Sequence, residues 1–163
     1  MKRNARKGFT LIEIIIVLVI LAIIAAASIP TMMGFINDAR GKAFITEARS
    51  CYVAAQAIAA ELLSTNAATP ANIALGLDAA GSGSAAPADA EQLKAYTKLK
   101  NMMGADVVFG SGAIGTAKVS FTVNDDGIFQ VKYQRTIGTN RVAVITVDPS
   151  KSVDVQYAAS VTP

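Results

Sequence analysis

An α+β fold, with a long N-terminal helix carrying a small antiparallel β-sheet head, is predicted by three observations. An apolar run follows a short basic N-terminus, a helical repeat continues from it to about residue 64, and the repeat changes to period two after residue 107. The long helix is expected to span a membrane in its first half and to be amphipathic in its second.

The chain has 163 residues, of which 52% are hydrophobic and 17% charged. Its mean hydropathy is +0.41. That length suits one modest domain, and so high a hydropathy points to apolar residues concentrated in one segment. There is no histidine, which excludes imidazole general bases, His-ligated metals and His-based triads. The single cysteine, Cys51, forms neither an intrachain disulfide nor a thiolate zinc site. No catalytic residue, cofactor or metal ligand is expected, and the chain does not read as an enzyme.

Four of the 15 basic residues (Lys2, Arg3, Arg6 and Lys7) lie in the first seven positions. Without them the balance is 11 basic to 12 acidic, so the basic isoelectric point belongs to the N-terminus. Elsewhere Lys and Arg are scattered, and no basic stripe with interleaved aromatics predicts nucleic-acid binding. The N-terminal charges read as a cytoplasmic anchor for a single-pass segment, with the rest of the chain outside.

From Leu11 to Ile29 the residues are apolar or small apart from Glu13 and Ser28. Nineteen residues at a 1.5 Å rise cover about 28 Å, close to the hydrocarbon thickness of a bilayer. An ordinary secretory signal has the same parts, with Ala25-Ala26-Ala27 as its cleavage site and Ser28 as the new N-terminus. Against it stand the length of the run and Glu13, since a carboxylate at this depth costs about 2.5–3.5 kcal/mol on insertion scales. A disposable signal has no use for it.

The stretch Lys7-Gly8-Phe9-Thr10-Leu11-Ile12-Glu13, followed by an unbroken apolar run and Pro30, resembles the N-terminus of a type IV pilin. The resemblance covers residues 1–64 and is architectural beyond them. It implies that prepilin peptidase cuts between Gly8 and Phe9 on the cytoplasmic face and methylates the amine of Phe9. It also implies a homopolymer of identical subunits, built with an assembly platform and minor pilins, which leaves the inner membrane as an extracellular pilus. Adhesion, twitching motility or DNA-uptake-type roles go with such filaments. A pseudopilin of a type II secretion or competence system is the alternative within the resemblance; a secreted globular protein is the alternative outside it.

The residues themselves suit that processing. Gly8 lets an extended backbone approach a protease closely. Cleavage leaves a cationic amine about one helical turn from Glu13, and opposite charges withdrawn from water attract strongly, although desolvation offsets much of the gain. Glu13 is therefore expected to pair with the Phe9 amine of a neighbouring subunit and to set the register of helix packing.

Pro30 is expected to kink the helix, with Gly34 as a second soft point. Beyond them Ile36, Ala39, Ala43, Ala48, Cys51, Ala55, Ile58 and Leu62 trace one apolar stripe, which makes Cys51 a small buried hydrophobe. A continuous helix from about Phe9 to Leu63 would be about 80 Å long.

Residues 64–90 have loop composition, with one short turn around residues 72–77. Asp89 to Met103 reads as a short helix with Asp89 at its N-cap and Gly104 as its stop. Alternation at Val119, Phe121 and Val123 and at Phe129, Val131 and Tyr133, around Asn124-Asp125-Asp126-Gly127, predicts a hairpin. Arg141–Val147 and Val153–Tyr157 supply two further strands around the turn at 148–151. Gly110-Ser111-Gly112-Ala113-Ile114-Gly115 matches a dinucleotide-binding pattern, but a strand follows where a helix is required. Gly81–Ser84 lacks the Lys of a phosphate loop. Turn chemistry alone accounts for Asp125 and Asp126, and no calcium site is expected there.

The domains expected are a leader at 1–8, a membrane and polymerisation helix at 9–30, its amphipathic continuation at 31–64, and a globular head at 65–163.

Overall fold

The computed structural model describes residues 8–104, 107–110, 115–124, 127–137 and 141–159. The basic leader residues, the centre of the Gly110–Gly115 motif and Asp125-Asp126 lie outside them.

Helix α1 spans Leu11–Ser64 in 54 residues. It is followed by α2 (Pro70–Gly81) and α3 (Ala90–Met103). The strands are β1 (Ala117–Asn124), β2 (Gly127–Ile137), β3 (Arg141–Val147) and β4 (Val155–Ala159). The four pair antiparallel in the order β1-β2-β3-β4. The α+β class and the meander expected from the sequence are borne out. The backbone clusters into two compact units, residues 1–40 and 41–163.

Among the described residues of unit one, α1 buries no side chain. Every residue from Leu11 to Ile29 is exposed, and this 19-residue stretch is long and apolar enough to cross a membrane.

In unit two the inward residues of the sheet, among them Val119, Phe121, Val131, Tyr133, Ala143 and Ile145, share one core with Phe44, Ala48, Cys51, Ala55, Ile58 and Leu62 of α1. Ile73, Leu77, Ala95 and Leu99 of the two short helices complete it. The apolar stripe read from the sequence needs correction at its upstream end. Ile36, Ala39 and Ala43 are exposed, and the buried row begins instead at Gly41 and Phe44. Gly41 lies against β4, where a Cβ would stand 2.9 Å from Tyr157 Oη.

A second correction concerns residues 64–90, most of which are not loop. Thr69 caps α2 by accepting from Asn72 N–H, and Pro70 occupies the first turn, the position where its missing N–H costs nothing. Gly76 sits where α2 crosses α3, since a Cβ there would lie 2.2 Å from the Gln92 carbonyl oxygen. Helix α3 has the expected N-cap, Asp89 Oδ1 accepting from Glu91 and Gln92 N–H at 3.0 Å each. Strand β4 begins at Val155 rather than Val153. Asn124 pairs with Gly127 in register, as the hairpin reading requires.

Candidate processing and assembly segment

Gly8, Phe9 and Thr10 precede the first turn of α1 and are exposed, Phe9 at 83%. Gly8 has open space where a Cβ would project. The backbone about the expected cut is thus unobstructed and short of the helix.

Glu13 occupies the first turn of α1, where Thr10 N–H and Thr10 Oγ1 both donate to its Oε2 at 2.8 Å. Glu13 N–H donates in return to Thr10 Oγ1 at 3.3 Å. This is a reciprocal capping box, in which two helix-start amides find side-chain acceptors within the same chain. A carboxylate in the first turn also faces the positive end of the helix dipole. Thr10 has no role in the sequence reading, although the Thr-x-x-Glu spacing is a known start signal. Glu13 therefore has a partner before any neighbour arrives.

The run beyond it is continuously helical, through Pro30 and Gly34 as well. Ser28 bonds back to the Ile24 carbonyl at 2.8 Å, so the polar residue nearest the end of the run is satisfied within its own helix. Large side chains such as Ile12, Leu18 and Ile23 stand 59%, 59% and 65% exposed. A helix that is apolar all round and buries nothing in its own chain requires lipid or other protein around it.

Cys51 is fully buried in unit two. Burial pushes its thiol up to about 12, with Glu47 adding to the effect, so the thiolate required for nucleophilic or metal chemistry is suppressed. Among the described residues no three His, Cys, Asp or Glu side chains gather as a metal site.

Comparison with known proteins agrees with the segment's chemistry. Residues 3–29 match the family described as the prokaryotic N-terminal methylation motif. No curated protein and no solved structure matches the chain. The match ends with the apolar run, so the motif speaks for the N-terminal segment and leaves unit two to be read on its own residues. An unobstructed Gly8-Phe9, a capped helix start at Glu13 and an exposed apolar helix all fall within the matched residues. By that segment the chain carries a type IV prepilin-like leader, which supports a type IV pilin- or pseudopilin-like reading of the protein.

Proposed function

We propose that the chain is the repeating structural subunit of a type IV pilus filament. The observation that carries the reading is the union of a methylation motif at residues 3–29 with a wholly exposed apolar helix, placed ahead of a unit with its own core. Prepilin peptidase hydrolyses the Gly8–Phe9 peptide bond with water, freeing residues 1–8 with a new carboxylate, and a methyl group then passes from a methyl-sulfonium donor, which leaves as the neutral thioether, to the new Phe9 amine, which gives up a proton. Because the cut precedes the apolar run, the helix stays with the mature subunit. It holds the subunit in the inner membrane, N-terminus inside, until the assembly platform and minor pilins draw it into a homopolymer on the cell surface.

In this reading Glu13 does two things in turn. In the free subunit its carboxylate closes the capping box with Thr10. In the filament it receives the Phe9 amine of a neighbour, with carboxylate lone pairs still open to a charged donor.

Substitution at the cut tests the processing step. Gly8→Leu places a bulky side chain where the backbone must approach the protease, and the full-length precursor should accumulate in the membrane with its four basic leader residues. Gly8→Leu protein recovered in filaments at the mass of the mature form would show that the cut lies elsewhere.

A further inference from the structure

The outer face of the sheet is polar, and its charge is of one sign. Val119, Phe121, Val131 and Tyr133 point into the core, so Lys118, Ser120, Lys132 and Gln134 alternate onto the opposite face. The register sets Lys118 opposite Gln134 and Ser120 opposite Lys132. The two lysines therefore lie on a diagonal, about 7–8 Å apart and within reach of one another's long side chains. Among the described residues of the strands, no acidic side chain shares that face.

These four residues line a recess of about 460 Å³, and the end of α2 supplies its other wall through Asp78 and Ser82. Helix α2 is held tightly beside β1. Asp78 Oδ1 accepts from Phe121 N–H at 2.6 Å, and a Cβ on Gly81 would stand 2.3 Å from the Val119 carbonyl oxygen. The recess has two unlike sides. The strands bring two ammonium groups, whereas α2 brings a carboxylate and the negative end of a helix dipole. Lys118 favours the ionised form of Asp78 through space. Neither lysine forms a salt bridge or hydrogen bond among the described residues, and Asp78 Oδ2 accepts no bond from them.

We propose that this recess binds an acidic sugar, with the sugar's carboxylate between Lys118 and Lys132 and its hydroxyls toward Asp78 and Ser82. Two neighbouring ammonium groups with no acid on their face repel one another. An oxyanion between them relieves that repulsion and gains charge-assisted hydrogen bonds. A bare inorganic anion would also meet Asp78 and the end of α2, which disfavour it. A ligand that is anionic on one side and rich in hydroxyl donors on the other suits both walls. Asp78 accepts from hydroxyls, while Ser82, Ser120 and Gln134 can donate or accept. The volume lies within the range of small-ligand sites. The recess belongs to unit two and uses no residue of the leader or the apolar helix, so it stands whether or not the chain polymerises.

Equilibrium dialysis of radiolabelled glucuronate against the full-length chain in a nonionic detergent tests the site. A sugar acid of this size should bind at about 1 mM. Glucose, with a hydroxymethyl group in place of the carboxylate, should bind about tenfold more weakly. Lys118→Gln and Lys132→Gln should each weaken glucuronate binding about tenfold. Lys132→Arg keeps the charge and should keep most of the binding. Lys100→Gln, on the exposed side of α3, should bind as the wild type does. Inorganic sulfate should displace glucuronate only at about tenfold higher concentration than unlabelled glucuronate does. A uronate oligomer that binds more tightly than the monomer supports the site and makes its ligand a unit of an acidic polysaccharide; equal binding supports it with a free sugar acid as ligand. No saturable binding at about 10 mM, or binding that survives the loss of both lysines, overturns the site. Glucose binding as tightly as glucuronate overturns the carboxylate contact. Sulfate displacing glucuronate at equal concentration overturns the sugar and leaves a simple anion site.

Discussion

Glu47 on α1 and Tyr133 on β2, 86 residues apart, are joined by a hydrogen bond in which the phenol donates to carboxylate Oε2. Arg135 Nη1 donates to the same oxygen, and its guanidinium lies 5.2 Å from the centroid of the Phe44 ring. Tyr133 is fully buried, and burial pushes its hydroxyl well above the ordinary tyrosine range. The cluster fixes α1 at one rotation against the sheet, with Ala48 and Cys51 turned inward and Ser50 and Val53 left outside.

Removing the acceptor should therefore be costly. Glu47→Ala leaves the Tyr133 hydroxyl without its carboxylate acceptor, and an unsatisfied buried donor costs about 1–3 kcal/mol. Denaturant unfolding should show that loss. Tyr133→Phe should cost less in the Glu47→Ala background than in the wild type, because the orphaned hydroxyl goes with it. Equal costs in both backgrounds would mean that the two side chains are not coupled.

Gly76 is the tight point between α2 and α3. Gly76→Ala puts a methyl 2.2 Å from the Gln92 carbonyl oxygen and 3.0 Å from Ala95 Cβ. Backbone cannot yield as a flexible side chain does, so the two helices must separate, at a cost of about 1–3 kcal/mol. The gain in helix propensity over glycine, about 1 kcal/mol, does not make that up. A thermal unfolding midpoint at or above wild type would show that the crossing is looser than described.

Acid should weaken the head through its bonded carboxylates. Asp148 is held below the usual range by the Ser150 hydroxyl and then by Ser150 N–H. Glu91 is held low by the Asn72 side chain and then by Thr69 N–H. A lowered folded-state value means stability that is present above the ordinary carboxylate range and lost as pH falls through the folded value. Asp78 works in the opposite sense. Burial raises it, more than its bond from Phe121 N–H and the nearby Lys118 lower it, so its contribution is present at low pH and lost as pH rises. Comparing thermal midpoints at about pH 6 and pH 3, Asp148→Asn should lose less than wild type between the two. An equal or greater loss would remove Asp148 from the account.

Glu13 can be dissected because capping and charge separate on substitution. Glutamine at the third helical position still closes a capping box, but it carries no charge to meet an amine. Glu13→Gln should insert and be processed normally, yet assemble as poorly as Glu13→Ala. Thr10→Val should remove the cap and leave the charge, so its filament yield should exceed that of either. Normal filaments from Glu13→Gln, read beside an immunoblot of membrane-held subunit, would reduce Glu13 to a helix cap.

The α+β class, the apolar helix and the meander are legible because each rests on local periodicity: continuous apolarity, then period two around a hairpin signal. Helix α2 is not, because Gly76 and the flanking Ala, Gly and Ser give residues 64–90 the composition of a loop. The Thr69-Pro70 start is readable, and Gly76 serves a close crossing that only the tertiary structure reveals. The stripe on α1 misleads because two apolar rows share one helix. Ile36, Ala39 and Ala43 belong to the outer row and Ala48, Cys51 and Ala55 to the inner, and a single-stripe reading slides from one to the other. Capping of Glu13 by Thr10 lies in plain spacing, overshadowed by the charge that the same carboxylate brings into an apolar run. Nothing local announces that Glu47 meets Tyr133 and Arg135, since that contact depends on how the sheet closes over the helix.

The central claim is that the apolar helix is retained and begins at a processed Phe9. Mass spectrometry of the N-terminal peptide from filaments sheared off the source cells reads this directly. That peptide should begin at Phe9 and carry one methyl group on its α-amine. A mature chain beginning at Ser28, or surface protein that retains Met1–Gly8, would contradict it.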